Sequence, residues 1–514
     1  MPATLVALAM ILPLAYLTVR TLGADNETWQ LLFRWRTLAI ILRSFILVVA
    51  VTTASIAISL PLAWITTRTD LPLKRMWFII ANLPLVIPSF VGGLVVVAAF
   101  GPKGIFQQLV SPLGIDRLPE IYGFPGAFLT LTLLSYPYIF LTLRAAIRRL
   151  DPSLEDASRS LGKGRWETFF KVIIPQLRPA IAGGGLLVAL YTLSDFGAVS
   201  LLRFETFTWA IYLQYQTVFD RSVAAALSLV LVIFAMGILL IELMASGRAK
   251  YYSSEAKATR VPSIVTLGAW KWPAIGFCIT LVSFGLLIPV AVLAYWFIRG
   301  ISIGENMGIS WSIIFNSLSV SLLAALITTI AAIPIVIMIV RFPGGFSRII
   351  ERFCYMGFAL PGIVVALALV FFGTSIVLPL YQTLGMLLFA YTILFMPASL
   401  GAIKASFLQV NPRIEEAAQG LGNGPLKVFT SITFPLIRSG VLAGAALVFL
   451  VTMKELPATL ILGPLGFKTL ATSVWSATSE GFFSAASVPA LILIFASFIP
   501  MSVLMIGGRR SWGI

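Results

Sequence analysis

Two carboxylates occupy matching positions in apolar stretches of the chain. Asp195 and Glu455 are separated by 260 residues (455 − 195 = 260), and each lies about 17 residues, or about 26 Å, into its predicted helix. An acid at that depth is costly against lipid, so we expect each to face an aqueous pathway or a basic partner. Their oxygens would suit a hard cation. Alternatively, Glu455 pairs with a nearby base such as the adjacent Lys454, and Asp195 caps a helix or meets water at the membrane interface; whether either binds a metal stays open.

The stretches that hold these acids indicate a polytopic membrane protein. The 514 residues are 59% hydrophobic and 11% charged, with a mean hydropathy of +0.99, unlike the composition of soluble domains. About twelve apolar runs are long enough to cross a bilayer core, and spanning segments of this length are helical because lipid offers the backbone no hydrogen bonds. We therefore predict an all-α fold with about twelve transmembrane helices.

The apolar runs divide the chain into two halves. Residues 1–246 hold six runs, a polar and basic linker follows at 247–271, and residues 272–514 hold the other six. Arg68 and Arg341 belong to a block that recurs at an offset of 273 (341 − 68 = 273). Six spans per half give both halves the same orientation. We therefore predict two parallel repeats with a transport pathway at their interface.

Prolines recur at matching places within these runs: Pro61 and Pro88 in the first half, and Pro334 and Pro361 in the second. We expect these prolines to kink or break helices near the pathway. The runs that hold Pro88 and Pro361, at about 76–100 and 352–373, are each predicted as one span.

The charges indicate a membrane topology rather than a nucleic-acid surface. The net charge is +16, but the basic residues are scattered through short loops. With both termini, the linker and both polar repeats placed in the cytoplasm, about 25 of the 36 basic residues lie on that side. The chain has no histidine and only two cysteines, Cys278 and Cys354, so neither a disulfide framework nor a thiolate metal site is predicted.

One polar stretch occurs twice. Residues 151–162 read DPSLEDASRSLG and residues 411–422 read NPRIEEAAQGLG, again at an offset of 260. In each copy an Asp or Asn precedes a Pro, the pattern of an N-cap before the first helical position, and a Gly ends the stretch. The pattern predicts two short capped helices. A surface helix on the lipid headgroups is the plainer interpretation, but the duplication favours a docking element for a soluble partner.

The second copy resembles the cytoplasmic coupling loop of binding-protein-dependent ABC importer permeases. Glu416, Ala417 and Ala418 are followed by Gly422, and Pro435 comes thirteen positions later, as in that family. The resemblance implies two six-helix permease halves fused in one chain. It also implies two copies of a cytoplasmic ABC ATPase as partners.

The first copy departs from the pattern: it has Asp156, Ala157, Ser158, Gly162 and Pro175. Aspartate keeps the charge on a side chain one methylene shorter, so the two docking contacts are expected to differ. The candidate ATPase-coupling residues implied by the resemblance are Glu155, Asp156, Ala157, Ser158, Gly162, Glu415, Glu416, Ala417, Ala418 and Gly422.

The fused format is similar to that of bacterial iron(III) permeases. The stretches at 194–198 and 454–459, which hold Asp195 and Glu455, carry this resemblance. It implies an inner-membrane protein that receives Fe³⁺ from a periplasmic iron-binding protein. Thiamine, a polyamine or an oxyanion remains open as the cargo.

No Gly-x-x-x-x-Gly-Lys-Ser/Thr motif occurs in the sequence, so we expect this chain to hold no cofactor and to hydrolyse no ATP itself. ATP and Mg²⁺ would bind the partner subunits. A secondary transporter driven by an ion gradient is the alternative from another class. It would be expected to carry more buried ionisable groups, and it leaves the duplicated helices unexplained.

Overall fold

The computed structural model describes residues 2–23, 25–102, 104–114, 117–217, 222–246, 264–305, 310–358 and 360–507. Within these ranges the chain is helical, with no strand beyond one isolated bridge between Thr69 and Val265. The predicted all-α fold is confirmed. Most of the predicted linker, from 247 to 263, lies outside the described residues.

The first part of the chain contributes thirteen α-helices among the described residues. They are α1 (Pro2–Leu22), α2 (Asn26–Leu32), α3 (Trp35–Arg68), α4 (Lys74–Asn82), α5 (Ser89–Phe100), α6 (Ile105–Val110), α7 (Phe124–Arg148), α8 (Pro152–Ser160), α9 (Arg165–Thr168), α10 (Ile174–Ser194), α11 (Gly197–Leu201), α12 (Phe207–Thr217) and α13 (Ser222–Ser246).

The described residues after the linker contribute twelve more. They are α14 (Lys271–Val282), α15 (Ile288–Ile303), α16 (Trp311–Arg341), α17 (Gly345–Tyr355), α18 (Gly362–Ser375), α19 (Leu384–Phe407), α20 (Pro412–Gly420), α21 (Pro425–Val428), α22 (Phe434–Met453), α23 (Pro457–Leu462), α24 (Leu470–Ser479) and α25 (Phe483–Gly507).

Eleven helical segments of the described chain are long and apolar enough to span a membrane, and α18 is a shorter apolar helix. The predicted single spans at 76–100 and 352–373 are wrong, because each is broken into two helices. The chain leaves α4 at Asn82 and resumes helix at Ser89, and in the second half it leaves α17 at Tyr355 and resumes at Gly362. Pro88 and Pro361 are the N-caps of the resumed helices, where a missing N–H costs nothing. Pro61 and Pro334 instead lie inside continuous helices.

The helices form two compact units that do not follow chain order. We name the unit of residues 35–210 and 233–303 the Arg68 unit, and that of residues up to 34, 211–232 and 304–507 the Arg341 unit. The last helices before α16 therefore group with the first half, and α1 groups with the second. The division of the chain into 1–246, a linker at 247–271 and 272–514 rests on the sequence repeat, and it stays a prediction.

In the Arg68 unit α3 packs along α7 and α10. Buried hydrogen bonds link neighbouring helices. The Ser59 hydroxyl of α3 donates to the carbonyl of Tyr136 in α7, and the Tyr136 hydroxyl donates to the carbonyl of Ala81 in α4, both at 2.7 Å. The end of the linker is also fixed here. Val265 pairs with the backbone beside Arg68 and Asp70.

In the Arg341 unit α19 packs against α16 and α22, and α1 lies across α16, α17 and α18. Leu17 is fully buried, and the ring of Tyr16 meets that of Phe372 edge-on at 6.0 Å. The first helix of the sequence is therefore a core element of the second half's unit.

Candidate functional site

The first polar repeat folds as the capped helix that its sequence predicts. The Asp151 carboxylate accepts a hydrogen bond of 2.9 Å from the backbone N–H of Ser153, which lowers the pKa of that carboxyl. At the other end Gly162 adopts φ +81°, a left-handed conformation that disfavours every residue with a Cβ. This glycine turns the chain back towards α9.

The inner face of α8 is fixed to the Arg68 unit. Glu155 is buried, and its carboxylate lies 2.8 Å from the Arg159 guanidinium and 3.6 Å from that of Arg68, at the end of α3. The Ser158 hydroxyl lies 3.0 Å from that of Thr168 in α9. Glu155 and Ser158, both candidate ATPase-coupling residues, thus contact side chains of their own unit.

The second repeat has the same construction with different contacts. The Glu415 carboxylate accepts hydrogen bonds of 2.7 Å from Arg341, at the end of α16, and from the Thr433 hydroxyl. Asn411 caps the helix through the N–H of Arg413 at 3.1 Å. Ala418 of the same helix is buried, so Glu415 and Ala418 both lie on the face of α20 that packs against its own unit.

The outer face of α8 is free of contacts that would cover it among the described residues. Asp156 and Ala157 are exposed. Leu161 is 80% exposed, and Trp166 of the following α9 is 76% exposed. Large apolar side chains exposed close together in the sequence are typical of a protein-binding surface. We name the surface formed by Asp156, Ala157, Leu161 and Trp166 the first docking face.

The outer face of α20 presents a similar but less aromatic surface. Glu416 and Ala417 are exposed, and Leu421 and Leu426 are 83% and 76% exposed. We name the surface formed by Glu416, Ala417, Leu421 and Leu426 the second docking face. Gly422 has φ +84°, and apart from its two chain neighbours a Cβ added to it would meet no atom of the described residues within 4 Å. The C-terminal end of α20 is therefore open to a partner.

Behind each docking face the chain forms a short π-helical segment. These segments, Phe169–Ile173 and Phe429–Thr433, are offset by 260 residues and lead directly into α10 and α22. Single π-helical turns often occur at functional sites. Here they connect the docking helices to the helices that end at Asp195 and Glu455.

Asp195 is a helix cap. It is buried, and its Oδ2 accepts from the backbone N–H groups of Ala198 and Val199 at 3.0 and 3.2 Å, at the start of α11. The Ser89 hydroxyl lies close to the same carboxylate. These contacts match the alternative role of this residue, that of a helix cap.

Glu455 caps α23 in the same way. Its Oε1 accepts from the N–H of Ala458 at 3.1 Å, and its backbone carbonyl accepts from the Thr459 hydroxyl at 2.8 Å. A Cβ on Gly362 would lie 2.4 Å from the same carboxylate oxygen. Among the described residues no group of three His, Cys, Asp or Glu side chains could hold a metal ion. A pathway role for the two acids stays a prediction.

Sequence reasoning missed the two arginines that hold the docking helices. Arg68 and Arg341 were visible as a repeated pair, but nothing in their spacing showed that they face Glu155 and Glu415 across 87 and 74 residues (155 − 68 = 87; 415 − 341 = 74). The available signal was the coincidence of a repeated base at the end of an apolar run and a repeated acid in the polar stretch.

Comparison with known proteins defines the class. Residues 55–250 and 326–510 each match the model of the family described as the binding-protein-dependent transport system inner membrane component, and the two matches together cover more than half of the chain. The chain therefore belongs to this family of membrane-spanning transport subunits, and the resemblance seen in the duplicated helices is confirmed.

Several individual proteins of known name are similar to this chain. The chain is 36% identical over 504 residues to the Fe(3+)-transport system permease protein FbpB 2 of Haemophilus influenzae, covering 97% of this chain and 96% of the relative. It is 25% identical over 461 residues to the ferric transport system permease protein FbpB of Actinobacillus pleuropneumoniae, covering 86% and 67%. The molybdenum transport system permease protein ModB of Escherichia coli is 33% identical over 210 residues, which are 39% of this chain and 90% of that protein.

Proposed function

We propose that this chain is the permease of an ATP-driven importer that carries ferric iron across a bacterial inner membrane. The observation that carries the proposal is the likeness over 97% of the chain to a permease named for Fe(3+) transport. The iron would come from a periplasmic iron-binding protein. Two copies of a cytoplasmic ATPase, which would hold ATP and Mg²⁺, would bind the two docking faces. Both termini would then be cytoplasmic, and this chain would hold no cofactor of its own.

The contacts of the docking helices support a route for the work of ATP hydrolysis. A push on α8 acts on the end of α3 through Glu155 and Arg68, and on the π-helical segment through Ser158 and Thr168. The second half offers the equivalent route through Glu415, Arg341 and Thr433. Each docking helix is thus tied to two spanning helices of its own unit.

The route continues to the two buried acids. Helix α10 has 21 residues, or about 31 Å at 1.5 Å per residue, and ends where Asp195 caps α11. Helix α22 ends one residue before Lys454, next to Glu455. A displacement at the π-helical segment therefore reaches the capped turn along a single helix. In this proposal the turns at Asp195 and Glu455 move when the pathway opens.

Reconstituted transport tests the function. Proteoliposomes would contain this chain and its ATPase, with the periplasmic iron-binding protein outside and ATP inside, and without an ion gradient. We expect radiolabelled Fe³⁺ to accumulate only when ATP and the binding protein are both present. Accumulation driven by a proton or sodium gradient without ATP would contradict the proposal and favour a secondary transporter.

An oxyanion is the second candidate cargo, because half-length relatives are named for molybdenum and sulfate transport. Competition in the same vesicles separates the two. Excess molybdate or sulfate, and likewise thiamine or a polyamine, should leave iron uptake unchanged. Loss of iron uptake together with uptake of labelled oxyanion would overturn the iron assignment and retain the importer.

A further inference from the structure

Among the described residues, one buried cation of the Arg68 unit lacks the acid that its counterpart has. Arg144, near the end of α7, is 7% exposed, and its guanidinium lies 3.3 Å from the ring centroid of Phe78. Its Nε is fully buried and has no hydrogen-bond partner in the described part of the chain. A buried charge without a counter-charge is costly, so this position calls for an anion.

In the second half, the residue that corresponds to Arg144 is paired with an acid of the same unit. Lys404 corresponds to Arg144 (404 − 144 = 260), and Glu351 corresponds to Phe78 (351 − 78 = 273). In the Arg341 unit Lys404 and Glu351 form an ion pair. The first half therefore has a cation at this position and an aromatic ring in place of the acid.

Two further arginines follow Arg144 in the sequence. Arg148 lies one helical turn further along α7, close enough to interact electrostatically with Arg144, and Arg149 follows it. The corresponding residues of the second half are Leu408 and Gln409. The negative end of the helix dipole favours cations at this place. That dipole acts on α7 and α19 alike, so it does not explain why only one half lacks the acid.

We propose that Arg144 is the centre of an anion site that binds a phosphate group, supplied by an anionic phospholipid of the inner leaflet. With the cytoplasmic orientation proposed above, the end of α7 lies at the level of the lipid headgroups, where anionic lipids attract basic residues. Guanidinium groups bind phosphate through paired hydrogen bonds. The site lies just before Asp151, so a bound lipid would steady the base of the first docking helix alone.

Lipid binding to the purified, delipidated full chain tests the site without requiring transport. The thermal unfolding midpoint would be titrated with phosphatidylglycerol, with phosphatidylcholine and with inorganic phosphate. We expect phosphatidylglycerol to raise the midpoint at concentrations about tenfold lower than phosphatidylcholine. Protection by inorganic phosphate alone, if it depends on Arg144, would also support the anion site and would assign it to a soluble source.

Two variants and a control decide whether Arg144 is responsible. Arg144→Gln removes the cation, and Phe78→Glu supplies the acid that the second half has, while keeping Arg144. Both should lose the preference for phosphatidylglycerol, whereas Lys404→Gln in the other half should retain it. Unchanged lipid preference in both Arg144→Gln and Phe78→Glu would overturn the proposal, as would the absence of any anion effect on the unmodified chain. Because binding is measured apart from iron uptake, this result is independent of the proposed cargo.

Discussion

The two halves hold their docking helices by the same pair of positions but at different depths. In the Arg68 unit the side chains of Arg68 and Glu155 are 3% and 8% exposed and 3.6 Å apart. In the Arg341 unit those of Arg341 and Glu415 are 16% and 14% exposed and 2.7 Å apart. The Arg68–Glu155 pair is more deeply buried and more widely spaced. The Arg341–Glu415 pair is more exposed and directly hydrogen-bonded. Both halves therefore have an Arg–Glu ion pair at the same positions, with different burial and spacing.

The capped turns at Asp195 and Glu455 also keep the same arrangement with different side chains. Asp195 is the shorter acid and is accompanied by the hydroxyl of Ser89. Glu455 is one methylene longer, and its carboxylate occupies the space beside Gly362, the residue that corresponds to Ser89 (362 − 89 = 273). A longer acid therefore faces a smaller neighbour, which keeps the capping geometry of both turns.

The largest expected difference between the halves comes from removing the anchoring acids. Glu155→Gln leaves the buried Arg68 guanidinium without its acid, so we expect a loss in unfolding free energy of about 3 kcal/mol. Glu415→Gln removes the acid from a more accessible arginine and should cost about 1 kcal/mol. Chemical denaturation of the two purified variants measures both. Equal losses would show that the depth of the anchors does not matter.

The terminal glycines are the next test, and here the halves should behave alike. Gly162→Val and Gly422→Val force a β-branched residue into φ near +80°, at a cost of about 1–3 kcal/mol, and should distort the docking helices. We expect transport to be uncoupled from ATP hydrolysis in both variants.

Matched controls lie two residues further along. Gly164 and Gly424 have φ −66° and −67°, which valine adopts easily. Apart from the two chain neighbours, no atom of the described residues lies within 4 Å of a Cβ at either position. Gly164→Val and Gly424→Val should retain coupling. Uptake and stimulated ATP hydrolysis that both survive the Gly162→Val, Gly422→Val double change would contradict the role of the docking helices.

The docking faces should contribute unequally to ATPase binding. Trp166 offers a large aromatic surface, and its counterpart Leu426 (426 − 166 = 260) offers a smaller aliphatic one. Truncating an exposed aromatic anchor typically costs about 2 kcal/mol of binding, and we expect about half of that for Leu426→Ala. The dissociation constant of the ATPase for Trp166→Ala and Leu426→Ala measures the difference. A larger effect of Leu426→Ala would reverse the ranking of the two faces.

The smallest expected difference concerns the helix caps. The hydrogen bond from Ser153 keeps the pKa of Asp151 below its usual value, so this cap stabilises α8 above the unfolded pKa and is lost as pH falls through the lowered folded pKa. The amide of Asn411 does not titrate. Acidification should therefore increase amide exchange in 152–160 more than in 412–420, after correction for intrinsic rates. Asp151→Asn should abolish that difference; if the difference persists, the cap is not its cause.

Local signals in the sequence were sufficient for the docking helices, because the cap, the first-turn proline and the terminal glycine all act within one segment. The prolines also predicted that helices would be kinked or broken at Pro88 and Pro361. They did not show that each predicted span would become two shorter helices. Long-range contacts were out of reach. No spacing shows that Arg68 meets Glu155, that α1 joins the unit of the second half, or that Val265 pairs beside Arg68.

The side of the membrane on which the docking faces lie is the most direct test of their role in coupling. Glu416→Cys would be made in a chain whose buried Cys278 and Cys354 are replaced by alanine, and cells would be treated with a membrane-impermeant maleimide. We expect no labelling in intact cells, labelling of membranes opened to the reagent from the cytoplasmic side, and protection by the bound ATPase. Labelling of Glu416→Cys in intact cells would contradict a cytoplasmic docking face and, with it, the coupling of this chain to an ATPase.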